Sequence, residues 1–233
     1  MATFVLVHGS WHGGWCWKRV RARLQQAGHE VLTPTLTGLC ESAHLASPSN
    51  DLQTHIDDIV NLLRWEELED VILCGHSYAG LVITGVAEAV PERIRSLVYL
   101  DAFLAEDGQS LHDALPPDIA ELQRSLARDH GDGWQVPPIP AAMFQVNEAD
   151  RDWVDRQCTP QSIACFQQPL RFSERATSIP DIRYILVTGW PDSPFGHFAE
   201  VARGRGWRVE SIESGHDVML DKPAELTELL VAA

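Results

Sequence analysis

Three residue types, set far apart in the chain, could together carry out nucleophilic chemistry. They are a serine in Gly75-His76-Ser77-Tyr78-Ala79, a histidine in Ser214-Gly215-His216-Asp217, and an aspartate at the end of an apolar run. A serine hydroxyl is a weak nucleophile until a base takes its proton, and a carboxylate that fixes the tautomer of that base completes the device. The spacing Gly-x-Ser-x-Gly/Ala arises by chance too easily to stand alone; its setting gives it weight. "DVILCG" (70–75) reads as a buried strand and "AGLVITGVAEAV" (79–90) as an apolar helix, so Ser77 falls at a strand-to-helix turn. Such an elbow holds its serine at unfavourable dihedrals, at a cost of roughly 1–3 kcal/mol. Its neighbours must be small because backbone passes close by; Gly75 and Ala79 meet that need, Ala79 departing from the usual glycine.

The base should lie on a loop at the same sheet edge, late in the chain. His216 does, directly after the run "WRVESIE" (207–213). His8 and His12 have the i, i+4 spacing of a zinc pair. They sit in a glycine-rich loop with no glutamate between them, so no metal is expected. His76 is expected to point away from the serine. Asp192 in "ILVTGWPDSPF" is the first choice for the orienting acid. Asp101 in "LVYLDAF" is the alternative, and Asp217 is expected to face the wrong way. An oxyanion needs backbone N–H donors; Tyr78, after the nucleophile, and Ser10, in the loop "HGSWHGGWCW" (8–17), are the candidates. That loop matches neither G-x-G-x-x-G nor the Walker pattern, and no cofactor is called for. Gly9, Trp11, Phe103, Phe144 and Trp153 are candidates for lining a substrate pocket, with Tyr78 beside them.

These residues need a frame that brings them to one edge. Strands are expected over 3–9, 30–36, 70–75, 94–103, 182–189 and 207–213, and helices over 15–28, 52–65, 79–90, 195–206 and 224–233. Alternating strands and helices imply right-handed crossovers and an α/β fold: a mostly parallel six-stranded sheet with helices on both faces. The alternation breaks over 104–180, which has helical patches at 117–128 and 147–157. That segment reads as a small cap or lid inserted into a core formed by 1–103 and 181–233.

Composition bounds the rest. The 233 residues suit one ordinary core. The formal charge of -15, from 33 acidic and 18 basic residues, argues against a nucleic-acid partner. The first residues, "MATFVLVHGS", lack a basic n-region and a long apolar stretch, and no apolar run is long enough to span a membrane. A cytoplasmic location is expected, with no membrane partner and with a homodimer left open. Five cysteines without a CxxC pair argue against a disulfide framework.

With "VLVHGSWHGGWCW", "GHSYAG" and "GHDVML" in place, the sequence resembles the α/β-hydrolase superfamily. The resemblance is to the branch of plant methyl-ester esterases, hydroxynitrile lyases and small bacterial esterases. It implies a cofactor-independent serine esterase acting on small, mainly apolar carboxylic esters through an acyl-enzyme. The lyases of that branch carry a threonine where this chain has Gly9, and a cyanide-stabilising lysine where it has Asp217. Both departures favour ester hydrolysis: a carboxylate would repel cyanide, and Gly9 would leave room for water or an ester group. A lyase, a lactone or amide hydrolase on the same site, and a slow-turnover ligand-binding receptor are the alternatives.

Overall fold

The computed structural model describes residues 1–191 and 193–232. Its main sheet contains β1 (Thr3–Val7), β2 (Glu30–Leu32), β3 (Val71–His76), β4 (Ile94–Leu100), β5 (Asp181–Val187) and β6 (Arg208–Ile212). The spatial order is β2-β1-β3-β4-β5-β6, and every neighbouring pair is parallel. The crossovers carry α1 (Lys18–Gln26), α2 (Leu52–Trp65), α3 (Ala79–Ala89) and, beyond β5, α4 (Phe195–Gly204); α5 (Pro223–Val231) closes the chain.

The central strands are buried on both faces, which is why they read as unbroken apolar runs. Alternate residues serve opposite layers. Phe4, Leu6, Ile72 and Cys74 join Val20, Leu24, Leu226 and Leu230 of α1 and α5. Val5, Val7, Val71 and Leu73 join Ile56, Ile59, Val86 and Phe198 of α2, α3 and α4. Helix α2 starts where Asp51 accepts the Thr54 N–H in a capping box. Its buried stripe is Ile56, Ile59, Val60 and Leu63, while Leu62, expected on that side, is only half-buried. Strand β2 stops at Leu32, short of the expected 36, because Pro34 has no N–H to offer a ladder.

Between β4 and β5 the chain forms two longer helices, Pro117–His130 and Glu148–Gln157, and an antiparallel pair of two-residue strands, Gln135–Val136 with Gln161–Ser162. Val136, Cys165 and Phe166 of this segment pack into one core layer, and Ala141, Val146 and Val154 into the other. Because all six main strands run the same way, their carboxyl ends share one edge. The loops that begin at His8, Ser77, Asp101, Thr188 and Glu213 therefore converge there.

Candidate active site

Ser77 lies between β3 and α3 with φ +56, a left-handed conformation that few non-glycine residues adopt. Its surroundings dictate that conformation. The Ser77 N–H donates to the Leu100 carbonyl at 3.2 Å, and its carbonyl accepts from Gly80 at 3.0 Å and Phe103 at 3.1 Å. A Cβ on Gly75 would stand 2.7 Å from the Ala79 carbonyl oxygen, so the strand meets the helix too closely for a side chain. The turn is thus set by main-chain bonds to α3 and to the end of β4 and the stretch just past it.

His216 follows β6, and its N–H donates to the Phe144 carbonyl at 2.9 Å. Its ring is buried, and Nδ1 lies 2.7 Å from Asp101 Oδ2. The Val187 N–H donates to Asp101 Oδ1 at 3.1 Å, so both carboxylate oxygens have partners. Asp101 directly follows β4, with φ +41, and its own N–H is tied to Ile185. Of the two aspartates considered for this place, Asp101 holds the imidazole; Asp192 lies outside the described residues. Burial lowers the imidazole to about 4, with Asp217 raising it in part. His216 is therefore a free base at neutral pH. Burial pushes the Asp101 carboxyl up, and the Val187 N–H works against it. With its Nδ1 proton donated to Asp101, the imidazole keeps a free lone pair on Nε2.

Ser77 and His216 line the same narrow cavity, together with Gly9, Ser10, Trp11, His12, His76 and Phe144, and its free space is close to that of a single water. No hydrogen bond joins Ser77 to His216 among the described residues. Catalytic contacts of unliganded sites often tighten only with substrate. The backbone N–H groups of Ser10 and Tyr78 likewise have no partner among the described residues. The Tyr78 side chain turns into the core, with His55 Nδ1 3.0 Å from its hydroxyl.

Three of the pocket candidates, Gly9, Trp11 and Phe144, border the cavity. Two do not. The Phe103 ring is taken up by Phe195 and Phe198 at 4.8 and 5.4 Å, and Trp153 packs on Trp15 at 4.9 Å, with Arg19 over its ring. Gly9 does not leave empty space. A Cβ there would stand 2.9 Å from both Ser77 Cβ and His76 Nδ1, so the glycine lets the loop pack against the elbow. His76 is not simply turned away: it borders the cavity, its ring lies 4.3 Å from that of His216, and its Nε2 donates to the His216 carbonyl at 3.0 Å. Asp217 does face away, fully buried, with Oδ2 3.1 Å from His12 Nε2.

Sequence reasoning missed the aromatic wall around the base. Phe195 stacks on His216 at 4.8 Å with 10° between the planes, and Trp190 lies at 5.1 Å. Trp190 lies in the loop after β5 and Phe195 opens α4. Two large aromatics flanking that loop were the available signal.

Comparison with known proteins agrees with this fold. The model of the alpha/beta hydrolase family matches residues 4–229, and the chain belongs to that family. A carbendazim hydrolyzing esterase from Nocardioides sp. (strain SG-4G) is 48% identical over 241 residues, covering 100% of this chain and 99% of that protein. An alpha-hydroxynitrile lyase from Arabidopsis thaliana is 37% identical over 108 residues, a match that spans 44% of this chain and 40% of the lyase. The solved structure of an extracellular alpha/beta-hydrolase from a Paenibacillus species superposes with a TM-score of 0.88 at 26% identity, covering 100% of this chain and 99% of that one. The chain lies in the branch that holds plant methylesterases and hydroxynitrile lyases, and it is an esterase-type hydrolase. Among the described residues no helix is long and apolar enough to cross a membrane.

Proposed function

We propose that the protein hydrolyses small carboxylic esters with Ser77 as nucleophile, His216 as general base and Asp101 as the residue that orients the base. The observation that carries this reading is the 2.7 Å contact from His216 Nδ1 to Asp101, made by a ring that borders one cavity with Ser77. Nε2 takes the Ser77 proton as Oγ attacks the ester carbonyl. The N–H groups of Ser10 and Tyr78 hold the resulting oxyanion. The imidazolium, stabilised by Asp101, returns the proton to the leaving alcohol. Water, activated by the same nitrogen, then releases the acid from the acyl-enzyme. The narrow cavity supports a small acyl group, and the 104–180 segment, which contributes Phe144 to its wall, acts as the cap. The five free thiols support a reducing compartment and hence the cytoplasm.

The charge argument against a lyase is weaker than the sequence suggested. The Asp217 carboxylate is paired with His12 and turned from the cavity, so it repels no anion there. The lack of a threonine hydroxyl at Gly9 still favours the esterase. The test is hydrolysis of a chain-length series of p-nitrophenyl esters by wild type and Ser77→Ala, with folding checked by circular dichroism. Rates should peak at the shortest acyl chains and vanish in the variant. Equal rates in both proteins would sink the reading. Carbendazim, the compound in the relative's name, and a cyanohydrin belong in the same panel; faster cyanohydrin cleavage than ester cleavage would favour the lyase.

A further inference from the structure

Two histidines four residues apart on the loop after β1 have surroundings that demand opposite charge states. His8 meets one acceptor and one donor: Nδ1 is 2.8 Å from the Gly9 carbonyl oxygen, and the Leu36 N–H donates to Nε2 at 3.1 Å. A neutral ring with its proton on Nδ1 satisfies both. His12 meets two acceptors: Nδ1 is 2.8 Å from the Ser10 carbonyl oxygen, and Nε2 is 3.1 Å from Asp217 Oδ2. A neutral imidazole has one N–H, so beside an ionised Asp217 one of these contacts would set a lone pair against an oxygen. Only the imidazolium donates to both.

Neither partner can rely on water. His12 is 3% exposed and Asp217 is fully buried. A lone charge in such a place would neutralise itself, but two opposite charges in contact can persist. Burial lowers the affinity of His12 for its proton, and the Asp217 charge outweighs it, leaving His12 well above the ordinary histidine value. Burial likewise opposes ionisation of Asp217, and His12 outweighs it. Cys158 also faces the ring, with Sγ 3.9 Å from Nδ1 and 4.0 Å from Nε2. The other titratable groups nearby are Cys16 and Cys40, both raised by burial, and His8, His76 and His216, all lowered by it.

We propose that His12, held as a cation against Asp217, is a positioning residue of the ester-hydrolysing site, clamping the loop that carries the Ser10 N–H to the loop that carries His216. The proposal rests on the esterase reading above. Asp217 is the next residue after His216, so the ion pair fastens the oxyanion loop to the peptide of the base itself. Loss of the His12 proton releases one end of the clamp. Its titration is therefore an alkaline limb on kcat, with little change in KM.

The charge state can be measured without any activity, by long-range nitrogen NMR of protein labelled in its histidines, with His12→Gln used for assignment. Both His12 nitrogens should be protonated at neutral pH while His8 shows one of each kind. An unprotonated His12 nitrogen at neutral pH overturns the proposal, whether or not any variant folds. The functional half is read from kcat against pH for wild type, Asp217→Asn and Asp217→Glu. Asp217→Asn should bring the alkaline limb down by about one pH unit or more and lower kcat about tenfold at pH 8, the equivalent of one lost charged hydrogen bond. Asp217→Glu should restore most of both. An unmoved limb in Asp217→Asn sinks the clamp. Activity that survives in Ser77→Ala sinks the esterase reading instead, and the two failures are distinguishable.

Discussion

Two of the site's turns that hold a non-glycine residue at positive φ, those of Ser77 and Trp11, are held by different parts of the chain. At the elbow, Ser77 has φ +56, and its backbone bonds go to Gly80, Leu100 and Phe103, all on α3 or at the end of β4. In the loop after β1, Trp11 has φ +63, and its three polar groups bond to residues far along the chain. Its N–H donates to Gln161 Oε1 at 3.0 Å, its indole N–H to the Val136 carbonyl at 2.9 Å, and its carbonyl accepts the Thr159 N–H at 3.0 Å. Both turns carry strain of the order of 1–3 kcal/mol. The sheet opposes it in one, the segment between β4 and β5 in the other. Ser77, the proposed nucleophile, is therefore held by bonds to the sheet and the stretch around α3. The Ser10 side of the cavity is held instead by residues of the segment between β4 and β5.

The sharpest break on the strand-borne side is Asp101→Asn. The amide keeps the shape but can present N–H toward Nδ1 and favour the wrong tautomer, so kcat should fall by roughly four orders of magnitude. Neither turn should move, because Trp11 touches none of the bonds involved. Near-normal kcat in a folded variant would reject Asp101 as the orienting acid and return attention to Asp192.

The same contrast explains what could be read in advance. The elbow was legible because everything that makes it lies within one strand-turn-helix unit: the apolar run of β3, the small Gly75, the apolar α3. His216 was legible from chain order. The choice between Asp101 and Asp192 was not, since one ends an apolar run in the sequence and the other follows a second run by a few residues; the contact to Nδ1 depends on how the loop after β6 folds back, which local pattern does not encode. Trp11 looked like a pocket residue and does border the cavity, but its anchoring by Gln161 and Val136 joins residues more than a hundred positions apart. Gln161 was invisible for that reason. A single glutamine in an irregular segment reads as surface, yet it is 1% exposed.

Gln161→Ala tests the turn held by the segment between β4 and β5. It leaves the buried Trp11 N–H unpaired, at a cost of about 1–3 kcal/mol, and removes what opposes the strain at Trp11. We expect kcat to fall about tenfold to a hundredfold, with the denaturation midpoint lowered and KM for short esters little changed. The elbow should be untouched, so covalent labelling of Ser77 by a small phosphonylating reagent should slow much less than ester turnover. If labelling and turnover fell together, the two turns would be coupled and the contrast drawn here would be wrong.

The smallest effect separates the base from its scaffold by pH. His216 is the proposed base, and burial lowers its folded-state value to about 4. Protonation, and with it the acid limb of kcat/KM, should therefore lie near pH 4 instead of in the usual histidine range near 6.5. Stability has the same sign. A histidine whose value is depressed on folding contributes stability that is fully present above its unfolded value and is lost as pH falls through the folded one. His8, lowered to about 3 by burial, adds to that loss. Global unfolding can thus overtake the limb in an equilibrated sample. Initial rates should be taken within seconds of a jump from pH 7, before unfolding proceeds. Flat kcat/KM from pH 7 down to about 5 supports a buried neutral base; a limb near 6.5 in the jump experiment would mean that water reaches the His216 ring and that Phe195, Trp190 and Phe144 do not seal it.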